Sequence, residues 1–113
     1  MSAKDRLDVV RDAFRAYETG ERALVEDSLS EDFRFFSPPD PGIGRDAYFE
    51  RCWPNAQNLE RFEFVRLVEV GDEVLVTYEA RREDGSRFRN TEIFSFAGER
   101  IRKVEVYFGW DLD

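Results

Sequence analysis

Glu92, Asn90 and Tyr78 are the residues whose types and spacing could do chemistry in this chain. Residues 88–110 read FRNTEIFSFAGERIRKVEVYFGW, two alternating strands joined by a tight turn. Side chains along a strand point to opposite faces in turn. Phe88, Asn90, Glu92, Phe94 and Phe96 therefore share one face, a carboxylate and an amide in an otherwise aromatic row. Burying such groups without partners is unfavourable, so the pair needs a reason. In an apolar pocket desolvation disfavours the charged form of a glutamate and raises its pKa. A neutral carboxyl can then donate a hydrogen bond to a carbonyl that is becoming an enolate. Glu92 is thus a candidate acid or base, with Asn90 and Tyr78 orienting a ligand's polar atoms. The competing reading is a satisfied buried pair. Arg66, on the same inner row, would neutralise Glu92, lower its pKa and argue against acid catalysis.

Absent residue types narrow the chemistry further. The 113 residues include no histidine, which removes Ser-His-Asp and Cys-His nucleophilic schemes and most zinc sites. Cys52 is the one cysteine, so the chain forms no internal disulfide, and as a nucleophile it has no partner base. Asp8, Asp12 and Glu18 suit a solvated helix face better than a metal site. The loop from Asp40 to Arg45 is Gly-rich but follows no buried parallel strand, so it is not a phosphate loop. No metal and no cofactor are expected.

The elements that must position these residues follow from periodicity. Residues 4–19 form an amphipathic helix, with Leu7, Val10, Phe14 and Tyr17 at three- and four-residue spacing and Gly20 as its stop. A short helix over 21–29 turns Leu24, Val25 and Leu29 inward. A short strand over 32–37 places Phe33 and Phe35 on one face. SPPDPGIG, residues 37–44, has three prolines and two glycines and reads as a rigid loop, neither strand nor helix. A third helix runs over 45–52, stopped by Pro54. Strands follow over 61–70 and 73–82, with Gly71-Asp72 and Asp84-Gly85 at the turns. A three-residue loop pairing Arg82 with Ser86 sets Ala80, Tyr78 and Val76 opposite Phe88, Asn90 and Glu92. A shorter loop would set polar residues against this face, so apolar matching selects the longer one. The same matching aligns Val104, Val106 and Phe108 with the inner face. Arg81, Arg87, Arg89, Thr91, Lys103 and Glu105 take the outer face. Helices first and strands last give an α+β domain, its helices covering one side of a curved antiparallel sheet.

Composition fits one domain spanning residues 1–113. Eleven phenylalanines exceed what a helical bundle needs and suit a sheet curled around an apolar interior. The candidate ligand-contacting residues come from each element in turn. They are Phe14 and Tyr17, then Phe33 and Phe35, then Tyr48, Phe49 and Trp53. The strands add Phe62, Phe64 and Arg66, then Phe88 and Phe94, then Val106 and Phe108. Together they imply a cavity for a small apolar or aromatic molecule. The net charge of −8 repels nucleic acid and anionic membrane, so neither is an expected partner. No apolar run reaches the roughly 18 residues of a membrane span, and the charged start lacks the apolar stretch of a secretory signal. The expected compartment is the cytoplasm.

The stretch AFRAYETGERALVEDSLSEDFRFFSPP resembles the opening of nuclear transport factor 2-like domains, in particular the SnoaL-like, polyketide cyclase-like group. In these a helix ends at a Gly before an acidic residue, then a short helix leads to a strand like Glu31-Asp32-Phe33-Arg34-Phe35. TEIFSFAGERIRKVEVYFG is similar to their last hairpin. The resemblance spans nearly the whole chain. It implies a cone-shaped, cystatin-like α+β barrel, a pocket between sheet and helices, and often a dimer, here through the outer sheet face. Family members include steroid delta-isomerases, limonene-epoxide hydrolases, scytalone dehydratases and polyketide cyclases. Glu92 falls where the isomerases place the carboxylic acid of their oxyanion hole. Ser37 stands where their base would be, and Ala13 where their oxyanion tyrosine would be. Asn90 replaces the arginine of the epoxide hydrolases' Arg-x-Asp, and the inner face offers no second acid. The cyclase and dehydratase sites lean on histidine, which this chain lacks. The expectation is a pocket protein, with Glu92 acting as acid or base if it isomerises, cyclises or dehydrates its ligand. The alternative is a non-catalytic binding or dimerisation module with a vestigial pocket.

Overall fold

The computed structural model describes residues 5–54 and 59–112. Helix α1 (Arg6–Thr19) is set by its two ends. The Asp5 carboxylate accepts from the Leu7 N–H at 3.0 Å, capping the start. Gly20 closes the helix with φ 80°, a left-handed conformation that glycine adopts without a Cβ penalty. Residue 4, where the periodicity begins the helix, lies outside the described residues. Arg6 ties this end to the sheet. Its guanidinium donates to the carbonyls of Gly71 and Gly98, the two turn glycines, and lies over the Phe96 ring.

Helix α2 (Arg22–Ser28) leads into β1 (Leu29–Ser37), and a hairpin joins β1 to β2 (Asp40–Gly44). Helix α3 (Arg45–Arg51) precedes β3 (Leu59–Val70), β4 (Glu73–Arg82), β5 (Arg87–Ala97) and β6 (Arg100–Leu112). The six strands form one curved sheet in the order β2-β1-β6-β5-β4-β3. Neighbours are antiparallel except β1 and β6, which run parallel. The sheet stays open, with β2 and β3 as its edges. Register shifts interrupt β1, β3, β5 and β6, and an extra residue on one strand bends it and deepens the local twist. The β4–β5 register is the one apolar matching selects. Tyr78 lies opposite Asn90, Val76 opposite Glu92, and the Arg82 N–H donates to the Ser86 carbonyl at 2.9 Å.

The core sits between the helices and the inner sheet face. Val10 and Val25 from the helices meet Phe33, Val74, Val76 and Ile101 from the strands, all fully buried. Each such side chain contributes roughly 1.5–3 kcal/mol by leaving water. Val9, Ala13 and Ala16 join the buried face of α1, extending it beyond the periodic positions.

Two expectations are corrected. SPPDPGIG is not an irregular loop. Pro38-Pro39 form a two-residue turn, Ser37 pairs with Asp40, and Asp40–Gly44 continue as β2. Pro41 is tolerated because β2 is an edge strand. Arg66 is not on the inner row. The register shifts between Phe64 and Arg66, so Arg66 pairs with Thr77 on the outer face and donates to the Thr77 hydroxyl at 3.2 Å.

Candidate functional site

Between α1, α3 and the concave sheet lies a cavity of about 620 Å³. That is well inside the ~300–1,000 Å³ range of small-molecule sites. Phe14, Tyr17, Phe33, Phe35, Tyr48, Phe62, Phe88, Phe94, Val106 and Phe108 border it, as the alternation of their elements requires. So do Tyr78, Asn90 and Glu92. Phe14 is the centre of the aromatic wall, with edge-on rings at 5.0 Å from Phe62 and 4.9 Å from Tyr78.

Four expected contacts stand elsewhere. Arg66 faces outward, as described. Phe64 is half exposed, packed edge-on to Phe14 behind the cavity wall. Phe49 is buried in the core, where the guanidinium of Arg22 covers its ring. Trp53 packs against Tyr17 at 5.0 Å and supports the wall from behind.

The polar atoms converge on Glu92. It borders the cavity, so part of its surface stays accessible, yet it lies deep among protein atoms. The Tyr78 hydroxyl donates to Glu92 Oε2 at 2.6 Å. Asn90 Nδ2 donates to the Tyr78 hydroxyl at 3.3 Å, and Asn90 Oδ1 accepts from the Gly109 N–H at 3.2 Å. This chain fixes the tyrosine, which in turn fixes one oxygen of the carboxyl. Among the described residues none donates to the other, Oε1. Gly109 permits the arrangement, since a Cβ there would lie 2.1 Å from the Arg89 carbonyl oxygen.

Burial pushes the Glu92 carboxyl up to about 7, and the Tyr78 hydrogen bond opposes this only in part. Near neutral pH the group therefore exists in both protonation states. Burial also raises Tyr78, and the neighbouring Glu92 charge adds to the effect. Across the cavity the hydroxyls of Tyr17 and Tyr48 share a hydrogen bond, and burial raises both. Burial, then Asp40, push the Cys52 thiol up to about 11, which makes it a poor nucleophile.

Sequence reasoning missed the acids that join Glu92 at the cavity, the exposed Glu83 and Asp84 and the buried Asp40. Asp40, at the start of β2, borders the cavity and is 7% exposed. Its Oδ1 pairs with Arg51 at 2.7 Å and its Oδ2 accepts from the Ser37 hydroxyl at 3.2 Å. The signal was the Ser-Pro-Pro-Asp spacing, which fits a two-residue hairpin turn and brings Asp40 back beside Ser37. Ala13 and Ser37 also border the cavity and supply neither acid nor base. No group of three or more metal-ligating side chains occurs among the described residues.

An aromatic cavity under three helices, with one acid on the penultimate strand, agrees with comparison to known families. The profile of the SnoaL-like domain matches residues 10–104. The chain belongs to the SnoaL-like family. Solved structures carry the same nuclear transport factor 2-like fold. A protein of unknown function from Cytophaga hutchinsonii is 20% identical, covering 96% of this chain and 95% of its own, with a TM-score of 0.73. A candidate ketosteroid isomerase from Kribbella flavida is 15% identical, covering 96% and 80%, with a TM-score of 0.79. A candidate polyketide cyclase from Sinorhizobium meliloti is 19% identical, covering 88% and 94%, with a TM-score of 0.75. At these identities the likeness establishes the fold alone. Comparison with curated proteins finds no match. For this SnoaL-like protein the chemistry must be argued from Glu92 and its surroundings. No helix among the described residues is long and apolar enough to cross a membrane.

Proposed function

We propose that this SnoaL-like protein binds a small apolar or aromatic molecule bearing a carbonyl, and that Glu92 acts on it as an acid or base. The observation that carries this reading is a carboxyl poised near 7 in a 620 Å³ aromatic cavity, with Tyr78 on one oxygen only. A protonated Oε1 can donate to a carbonyl oxygen where charge develops, which favours enolisation. The reaction classes that use this step without a cofactor are isomerisation, cyclisation and dehydration next to a carbonyl. Asn90 and Tyr78 are positioning residues in this reading, since their hydrogen bonds hold Glu92 rather than the ligand.

Exchange of the α-protons of 2-tetralone in deuterium oxide, followed by proton NMR, tests the reading. Wild-type protein should accelerate exchange, and Glu92→Gln, which keeps hydrogen-bonding capacity but transfers no proton, should not. Equal acceleration by both would remove Glu92 from the chemistry. The second reading is a non-catalytic binding module. It is favoured by Ala13 and Ser37, which leave the cavity without the partner groups the isomerases use.

We assign this protein to the cytoplasm, since its single cysteine suits a reducing compartment. We also infer a homodimer through the outer sheet face. Val68 and Val70 on β3 and Tyr107 on β6 leave that face partly apolar and exposed. Light scattering on wild type and Val68→Asp tests this, with a dimer expected for the first and monomer for the second.

A further inference from the structure

We propose that the cavity selects its occupant by charge, admitting neutral and cationic apolar molecules and excluding carboxylates and phosphates. The proposal rests on the pocket reading above and extends it to the class of ligand. Apart from Arg82, the ionisable side chains that border the cavity with Glu92 are all acids, Glu83 and Asp84 on the β4–β5 turn among them. Tyr17 projects from α1, Asp40 from β2, Tyr48 from α3, Cys52 from the residue after α3, and Tyr78 from β4. Burial keeps the three hydroxyls and the thiol neutral at physiological pH.

Among the described residues bordering the cavity, Arg82 is the one cation, and it is already engaged. Its Nη1 donates to the Ser86 hydroxyl at 3.2 Å, and its guanidinium lies 4.3 Å from the centre of the Phe88 ring. Glu83 and Asp84, next to it in the chain, also border the cavity. Arg51 pairs with Asp40 and does not border the cavity.

An anion entering this space would shed its water and meet a single cation, Arg82, outnumbered by the carboxyl groups of Glu92, Asp40, Glu83 and Asp84 on the same border. A neutral ketone meets no such penalty. An ammonium group would bring Glu92 the positive partner the protein withholds, against an aromatic wall that also attracts cations. The net charge of −8 acts in the same direction on approach.

Isothermal titration calorimetry at pH 8 with three probes of one shape tests the proposal: 2-acetylnaphthalene, 2-naphthylmethylammonium and 2-naphthoate. The ketone and the ammonium should bind, and the naphthoate should bind at least tenfold more weakly than the ketone. Glu92→Gln should narrow that gap several-fold by removing the facing charge. Naphthoate binding wild type as tightly as the ketone would overturn charge selection and leave the pocket reading standing. Binding by none of the three would overturn both.

Discussion

Replacing Glu92 with Gln should change how stability depends on pH, and the structure sets the size of the change. Burial moves the Glu92 carboxyl from its ordinary 4.5 to about 7 in the folded protein. A carboxyl whose folded pKa is raised favours the folded state most below its unfolded value. That contribution disappears as pH rises through the folded value, because ionising the buried group is harder than ionising the exposed one. At 1.36 kcal/mol per pKa step, Glu92 should withdraw about 3 kcal/mol of stability between pH 4.5 and pH 8. Glutamine has no proton to lose, and its carbonyl can still accept from the Tyr78 hydroxyl. Urea unfolding of both proteins at pH 4.5 and pH 8 checks this. The difference in unfolding free energy between variant and wild type should move by about 3 kcal/mol in favour of the variant as pH rises. Parallel curves for the two proteins would refute the argument, because they would mean that Glu92 ionises as easily folded as unfolded.

Gly109→Ala should destabilise the fold by about 1–3 kcal/mol in urea unfolding, since its Cβ would press on the Arg89 carbonyl. The Asn90–Gly109 hydrogen bond should go with it, whereas Gly44→Ala, at φ −81° with its nearest neighbour 3.7 Å away, should cost only the exchange of a glycine N-cap for alanine, about 0.5–1 kcal/mol. Phe14→Ala should cost about 3 kcal/mol by thermal or urea unfolding and should also weaken ligand binding, because this ring meets Phe62, Tyr78 and Phe94 at the cavity wall.

Much of the site-forming sheet could be read from residue order alone, for a definite physical reason. The β4–β5 pairing has one register that sets apolar residues against apolar residues, and slipping by one would reverse every face. Tyr78 opposite Asn90 and Val76 opposite Glu92 follow from that constraint. Gly20 could be read as a helix stop because few residues tolerate its left-handed conformation. The failures share a different cause. Strict alternation puts Arg66 on the inner row, and a bulge near Phe64 breaks that alternation without leaving a mark in composition. The strand character of Asp40–Gly44 was hidden by Pro41 and two glycines, whose breaking tendency an edge position overrides. With that strand went Asp40, a buried acid at the cavity. Phe49 and Trp53 have the same large apolar character as the true wall residues. Only packing separates a ring that borders a cavity from one that supports it.

The carbonyl stretch of a bound ketone tests most directly whether Glu92 Oε1 meets a ligand inside the cavity. Infrared difference spectra of carbon-13-labelled 2-acetylnaphthalene should show this band moving to lower frequency on binding wild type at pH 6, where Glu92 is mostly protonated. The shift should vanish with Glu92→Leu. A bound ketone whose stretch stays at its apolar-solvent position in wild type, or shifts equally in both proteins, would contradict the account.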